Sequence, residues 1–163
     1  TSKGIESYIE FNPWRAFSKS TLADIIVFGS YGYTHARYSN DHKDASTKGK
    51  KVENAPAHIF RGGITTGYKK LLVTTQVSYV SETFSDANNT VAATANGNNG
   101  LIPAFTVADL TVMYKFSKSL NIKAGINNLF DERYFTRRAG GYPGPGALPS
   151  DGRTFFISAG FKL

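Results

Sequence analysis

Phe155-Phe156-Ile157-Ser158-Ala159-Gly160-Phe161-Lys162-Leu163 are the final residues of the 163-residue sequence. Phe155, Ile157, Ala159, Phe161 and Leu163 occupy the odd positions, and Ser158, Gly160 and Lys162 stand among the even ones. A period of two with one apolar side is the pattern of a β-strand that buries one face. Working outward, Ala108, Leu110, Val112, Tyr114 and Phe116 alternate with Asp109, Thr111, Met113 and Lys115. Leu120, Ile122, Ala124 and Ile126 alternate with Asn121, Lys123, Gly125 and Asn127, and Leu71, Val73, Val77 and Tyr79 with Thr74, Gln76 and Ser78. Phe60, Ile64 and Tyr68 oppose Arg61, Gly63 and Gly67, while Ile5, Ile9 and Phe11 oppose Glu6, Tyr8 and Glu10. Between Ala23 and Arg37 the alternation is less clean, because Ile26 and Phe28 break it. Seven strands are expected, over about 3–11, 23–37, 57–68, 71–85, 104–116, 119–130 and 153–163, with no convincing helix.

Composition agrees with an all-β chain. Sixteen Gly, nine Tyr and twelve Phe stand against one Met, one Trp and no Cys, a usage that favours strands and turns. Without cysteine there is no disulfide framework, thiol nucleophile or zinc-thiolate site. No apolar run approaches the roughly 20 residues of a transmembrane helix, but a barrel strand needs only about 10 and shows half of them to lipid. The sequence opens on Thr1 without an apolar leader, so an export signal is expected outside these residues. The formal charge of +7 is spread over Lys48, Lys50 and Lys51, over Lys69 and Lys70, and over Arg133, Arg137 and Arg138. Dispersal of that kind argues against a nucleic-acid partner and suits outer-membrane lipid, lipopolysaccharide or an anionic ligand.

The connections alternate in length. Lys69-Lys70 and Ser117-Lys118-Ser119 are tight turns, whereas 39–56, 85–103 and 131–152 are long and polar. Short turns at one end and long loops at the other mark an antiparallel transmembrane β-barrel of the bacterial outer membrane, with the short turns periplasmic. Strands 1, 3, 5 and 7 then run inward. Phe11, Trp14, Tyr68, Tyr114, Phe116 and Phe161 fall at the inner ends, and Tyr31, Tyr33, Tyr79, Phe84, Phe130, Tyr134 and Phe155 at the outer ends, as two interfacial belts require. Glu6, Glu10, Arg61, Gln76, Asp109, Lys115, Lys123 and Lys162 share the opposite face. That face is the lumen, because Arg or Lys on the lipid side at mid-bilayer costs about 2–4 kcal/mol. Lipid-exposed sheet edges are not tolerated, and single-chain bacterial barrels use even strand numbers. Strands 1 and 7 therefore pair with strands outside this chain, or an eighth strand closes a small autonomous barrel.

Catalytic signals are weak: G-x-S-x-G, G-x-G-x-x-G and a P-loop are all missing. His35, His42 and His58, with Asp41 and Asp44 nearby, lack the spacing of a known metal-ligand motif. The Asn-, Ala- and Gly-rich stretch 88–100 is expected to be a mobile loop.

The C-terminal third is more specific. Gly125-Ile126-Asn127-Asn128-Leu129-Phe130-Asp131-Glu132-Arg133-Tyr134 resembles the G-x-x-N-L-F-D-x-x-Y stretch of TonB-dependent outer-membrane receptors. Phe135-Thr136-Arg137-Arg138, the Gly/Pro run 141–146 and Pro149-Ser150-Asp151-Gly152-Arg153-Thr154-Phe155-Phe156 are similar to the ferric dicitrate branch of that family. The terminal strand resembles the family's assembly signal, with Leu163 where an aromatic is usual. The resemblance implies a 22-stranded barrel, of which residues 1–163 form the last seven strands, and a plug domain that this chain does not contain. It also implies TonB-dependent active uptake of a ferric chelate, ferric citrate or a related siderophore, with the TonB complex as partner through the plug, no catalytic residue and no cofactor. Carboxylates of such a chelate call for guanidinium donors. Arg137 and Arg138 are the first candidates, followed by Arg133 and Tyr142; lipopolysaccharide phosphate or neighbouring loops are competing partners for these cations. The alternative function is a small autonomous outer-membrane barrel with a structural or adhesion role, and a barrel lipase or protease is a third, less supported reading.

Overall fold

The computed structural model describes residues 1–39 and 45–162. Its elements in chain order are β1 (Ser2–Phe11), α1 (Pro13–Phe17), β2 (Ala23–Ala36), a 3-10 turn (Ala45–Thr47), β3 (His58–Tyr68), β4 (Leu71–Val80), β5 (Thr83–Phe84), β6 (Leu101–Ile102), β7 (Phe105–Lys115), β8 (Leu120–Asn127), β9 (Phe135–Ala139), β10 (Gly146–Pro149) and β11 (Thr154–Phe161). Seven of the strands form one sheet in the order β1-β2-β3-β4-β7-β8-β11, with every neighbouring pair antiparallel. The remaining four form two small hairpins, β5-β6 and β9-β10, outside that sheet. Among the described residues no helix is long and apolar enough to cross a membrane.

Directly opposed residues share a face. The row Phe11-Val27-Ile64-Thr75-Leu110-Ile126-Phe155 crosses the sheet from one edge to the other. The parallel rows add Ile5, Ile9, Tyr31, Phe60, Tyr68, Val73, Val112, Ile122 and Ile157 to the same face. In the middle strands Ile64 is 47 % exposed, Val27 42 % and Phe60 41 %, while the buried apolar residues are only Ile102 and Ala108 among those described. A water-soluble sandwich of this size would hide such residues in a core. Here they form a continuous outward surface, which is stable only against hydrocarbon. Glu6, Glu10, Arg61, Gln76, Asp109 and Lys123 lie on the other face by the same register.

Two apolar residues on that polar face have a local cause. A Cβ on Gly63 would lie 2.7 Å from Phe28 Cζ, and one on Gly125 would lie 2.5 Å from Phe156 Cε1. Each ring covers a bare glycine on the neighbouring strand, the arrangement known as aromatic rescue. Lys123 Nζ sits 5.5 Å from the Phe156 ring centroid and keeps that ring within a polar lumen.

Several boundaries differ from the sequence reading. β1 is followed by a one-turn helix, too short to show a period, in which Asn12 Oδ1 accepts from Arg15 N at 2.9 Å and Pro13 takes the first turn. β4 stops at Val80 rather than 85, because His58 begins its partner strand and binds Ser81 through His58 N to Ser81 Oγ (3.0 Å) and Ser81 N to His58 O (2.9 Å). The chain beyond then pairs with its own return as β5-β6. β8 stops at Asn127 rather than 130, since Asn128 adopts φ 53°. The segment read as an irregular loop over 131–152 contains the β9-β10 hairpin. Leu163, His42, Asp41 and Asp44 lie outside the described residues.

Candidate functional site

The three longest connections leave the sheet at one end, and there they hold one another; the β1-β2 connection with α1 lies at the other. Asn89 Nδ2 donates to Lys51 O and Lys51 N donates to Asn89 Oδ1, both at 2.8 Å, tying 50–54 to 85–100. Asn54 N donates to Phe84 O at 2.8 Å. Tyr38 donates to Glu53 Oε2, and that bond to a carboxylate raises the phenol above its ordinary pKa. Within 88–100, Thr94 Oγ1 bonds Asn98 Oδ1 at 2.9 Å and Asn99 N bonds Thr94 Oγ1 at 3.1 Å. Gly100 N donates to Ser85 Oγ at 2.9 Å. The stretch expected to be mobile is thus a hydrogen-bonded loop, because its Asn and Thr side chains satisfy backbone groups locally.

Asn128 is the second knot. It is 3 % exposed. Its Nδ2 donates to Glu132 O (2.9 Å) and Asp151 O (3.3 Å), its Oδ1 accepts from Glu132 N (2.8 Å), and its own N–H donates to Asp109 Oδ1 (2.9 Å). Asp131 Oδ1 accepts from Arg153 N at 2.8 Å and so sets the restart of pairing at β11. Asn127 makes one exposed bond, Nδ2 to Thr154 Oγ1 at 3.2 Å. Asn128 and Asp131 therefore join the two ends of the last long loop. A cleft of about 600 Å³ opens beside them on the lumen side, lined by Arg61, Asp109, Asn128, Tyr134 and Asp151 among others.

The four candidate ligand residues separate. Arg137 and Arg138 are consecutive in β9, so their side chains leave opposite faces. Arg138 is half-buried and committed: Nη1 donates to Gly97 O at 2.9 Å, Nη2 to Leu101 O at 3.2 Å, and the guanidinium lies 4.9 Å from the Phe135 ring centroid. It staples the β9-β10 hairpin to the 85–103 loop. Arg133 and Arg137 are exposed and make no side-chain bond among the described residues. Tyr142 is fully exposed at the tip between β9 and β10. Arg138→Ala should open the 85–103 loop to elastase, which cleaves after small residues such as its Ala92, Ala93 and Ala95, raising its cleavage rate about tenfold, while the barrel keeps its heat-modifiable mobility in SDS gels. Arg138→Lys should not rescue it, since an ammonium lacks the guanidinium fork; unchanged cleavage in both would remove the stapling role.

Of the belt residues, Tyr31, Tyr33, Tyr68, Tyr114 and Phe161 lie by register on the apolar face. The Phe116 ring packs on Tyr114 edge-on at 4.7 Å, Phe130 is exposed just beyond β8, and Trp14 Nε1 donates to Ser20 O at 3.1 Å in the β1-β2 connection. Tyr134 departs from the belt: it stacks on Phe105 at 4.3 Å and lines the lumen-side cleft, because the Asn128 turn folds the chain inward. Its position was missed in the sequence because the turn hides the parity of the residues beyond it. Tyr31 and His58 are joined through Tyr31 Oη and His58 Nδ1 at 2.7 Å.

An antiparallel wall with an apolar outside, a polar inside, short turns at one rim and bound long loops at the other defines an outer-membrane β-barrel. The family model described as "TonB dependent receptor-like, beta-barrel" matches residues 1–129, and the chain belongs to that family, one of transport receptors located in the outer membrane. The metal-pseudopaline receptor CntO of Pseudomonas aeruginosa is 27 % identical over 129 residues, 74 % of this chain and 16 % of that protein. The vitamin B12 transporter BtuB of Vibrio cholerae is 26 % identical over 133 residues, 81 % of this chain and 20 % of the relative. The chain thus spans between about a sixth and a fifth of the length of these relatives. Among solved structures, the ferric citrate transporter FecA in its unliganded form superposes with a TM-score of 0.81 over 99 % of this chain and 24 % of that one, at 24 % identity, a likeness of fold.

Proposed function

We propose that this chain is part of the wall and outer mouth of a receptor that takes up a ferric chelate, with ferric citrate or a related anionic siderophore as cargo. The observation that carries the reading is the hydrogen-bonded cluster of outer loops that presents Arg133 and Arg137, neither with a side-chain partner among the described residues, together with the exposed Tyr142. A guanidinium binds a carboxylate through two parallel hydrogen bonds, and a cluster fixed by Arg138 and Asn128 spends less ordering entropy on binding. Energy for uptake would come from the TonB complex acting through a plug outside these residues, within a barrel of 22 strands of which these are the last seven. The fold neighbour named for ferric citrate supports the choice of cargo; relatives named for pseudopaline, enterobactin and vitamin B12 set the comparison ligands. The autonomous-barrel alternative requires an eighth strand between β1 and β11, and among the described residues the sheet has seven strands with β1 and β11 at its two edges.

The test is equilibrium binding of ferric dicitrate, ferric enterobactin and cyanocobalamin to the whole receptor carrying this chain. Arg133→Ala with Arg137→Ala should weaken ferric dicitrate binding about tenfold or more, at about 1.5–3 kcal/mol for each charged hydrogen bond lost. Unchanged affinity would remove both arginines from the site, and saturable binding of cyanocobalamin alone would replace the cargo.

A further inference from the structure

Within the 85–103 loop, Asp86-Ala87-Asn88-Asn89-Thr90 has no part in the uptake reading. Of the eleven asparagines in the chain, Asn88 alone stands two residues before a Ser or Thr. That is the spacing of an N-linked glycan acceptor, which belongs on a surface loop of an exported protein. Asp86 adds an acid two residues before the asparagine. Acid-x-Asn-x-Ser/Thr is the longer acceptor pattern that oligosaccharyltransferases of the bacterial type read, and a five-residue match is far more selective than the bare Asn-x-Thr.

The fold separates the two adjacent asparagines. Asn89 is half-buried and spends both ends of its amide on Lys51 N and Lys51 O, each at 2.8 Å. Asn88 is exposed: its Oδ1 accepts from Lys50 Nζ at 3.5 Å, and its Nδ2 makes no bond among the described residues. A sugar joined to Nδ2 leaves Oδ1 in place and displaces no partner. The other two residues of the pattern hold each other. Asp86 Oδ1 accepts from Asn88 N at 2.9 Å and from Thr90 Oγ1 at 3.0 Å, and Asp86 Oδ2 is buried without a partner. An enzyme that must grip the acid and the hydroxyl therefore cannot do so once this turn has formed, whereas a glycan already attached stands clear of it.

We propose that Asn88 is an acceptor for N-linked oligosaccharide, which is transferred to the chain before the loop folds and displayed on the outer side of the barrel afterwards. The donor is a polyprenyl-diphosphate-linked oligosaccharide. Asn88 Nδ2 forms a bond to C1 of the first sugar, the bond from C1 to the diphosphate oxygen breaks, and the polyprenyl diphosphate leaves with the electron pair. The displaced amide proton passes to a base of the transferase. The proposal stands on the orientation of the barrel and is independent of the identity of the cargo.

The test is glycopeptide mass spectrometry of the whole receptor, purified from the outer membrane of cells supplied with a bacterial oligosaccharyltransferase and its lipid-linked oligosaccharide. The glycan should be found on Asn88, in receptor that keeps its heat-modifiable mobility. Asn88→Gln should remove it. Asp86→Asn keeps the Oδ1 acceptor of the folded turn and should lower occupancy about tenfold, the effect of losing one charged hydrogen bond to the enzyme. With purified enzyme, the free peptide 84–92 should be modified at least about tenfold faster than the folded receptor, whose loop must first open. A receptor left unmodified in cells that modify the same peptide on a periplasmic carrier overturns the proposal. So does wild-type occupancy in Asp86→Asn, or a glycosylated chain that never reaches the heat-modifiable form. Equal rates for peptide and folded receptor overturn the order of transfer and folding.

Discussion

Asn128→Ala should destabilise the receptor by about 3 kcal/mol, seen as a lower urea midpoint in detergent and a smaller fraction of heat-modifiable barrel. The side chain is 3 % exposed, and its loss strips partners from Glu132 N, Glu132 O and Asp151 O at once. Each group left unsatisfied costs about 1–3 kcal/mol when water cannot reach it, and alanine at φ 53° adds about 1 kcal/mol that asparagine largely avoids. Asn128→Gly separates the two contributions, because glycine accepts the dihedral but replaces none of the bonds. Its midpoint should fall between wild type and Asn128→Ala. Binding should suffer with stability: releasing Asp151 and Glu132 frees both ends of the loop that carries Arg133 and Arg137. If alanine and glycine both match wild type, the Asn-Leu-Phe-Asp run is not the knot that its hydrogen bonds describe.

That knot shows which parts of the molecule a linear reading reaches. Strand positions and faces follow from alternation, because parity is local and lipid tolerates charge poorly on one side only. The shared face of Phe11, Ile64, Leu110, Ile126 and Phe155 follows on that ground, whereas the register that places them in one row with Val27 and Thr75 comes from the pairing of the strands. Parity fails wherever the backbone leaves the extended state. Beyond Asn128 the left-handed turn resets it, so Tyr134 appears as a belt residue in the sequence and sits on Phe105 in the structure. The same limit affects Arg137 and Arg138. As neighbours they suggest a paired clamp, but neighbours in a strand diverge, and the two carbonyls that accept from Arg138, Gly97 O and Leu101 O, lie 41 and 37 positions away. Asn88 to Gly100 has the composition of a mobile segment, and what orders it is partner groups at the other loops, Lys51 and Arg138, which composition does not register. Asn12-Pro13 is a helix start legible in two residues, although the helix that follows has only five.

Phe28 poses the same question within a strand, and its answer predicts the second large effect. Gly63→Ala should cost about 3 kcal/mol, near the upper end for overpacking, because the added Cβ meets the Thr75 carbonyl oxygen, lies 2.7 Å from Phe28 Cζ and comes within 3.1 Å of Gln76 Cα. Two of those three neighbours are backbone of β4 and move only if the ladder moves, so rotamer changes cannot absorb the strain. Phe28→Ala should cost less, about 1–2 kcal/mol, since it uncovers the glycine without displacing a strand. Combining the two tests the pairing: removing the ring relieves one of the alanine's clashes and leaves the other two, so the double variant should be less destabilised than the sum of the singles and still worse than Phe28→Ala. Urea titration of the four receptors measures that coupling. Strict additivity would mean that Phe28 sits on the polar face for a reason other than covering Gly63, and a wild-type midpoint for Gly63→Ala would mean that β3 and β4 are free to part at this row.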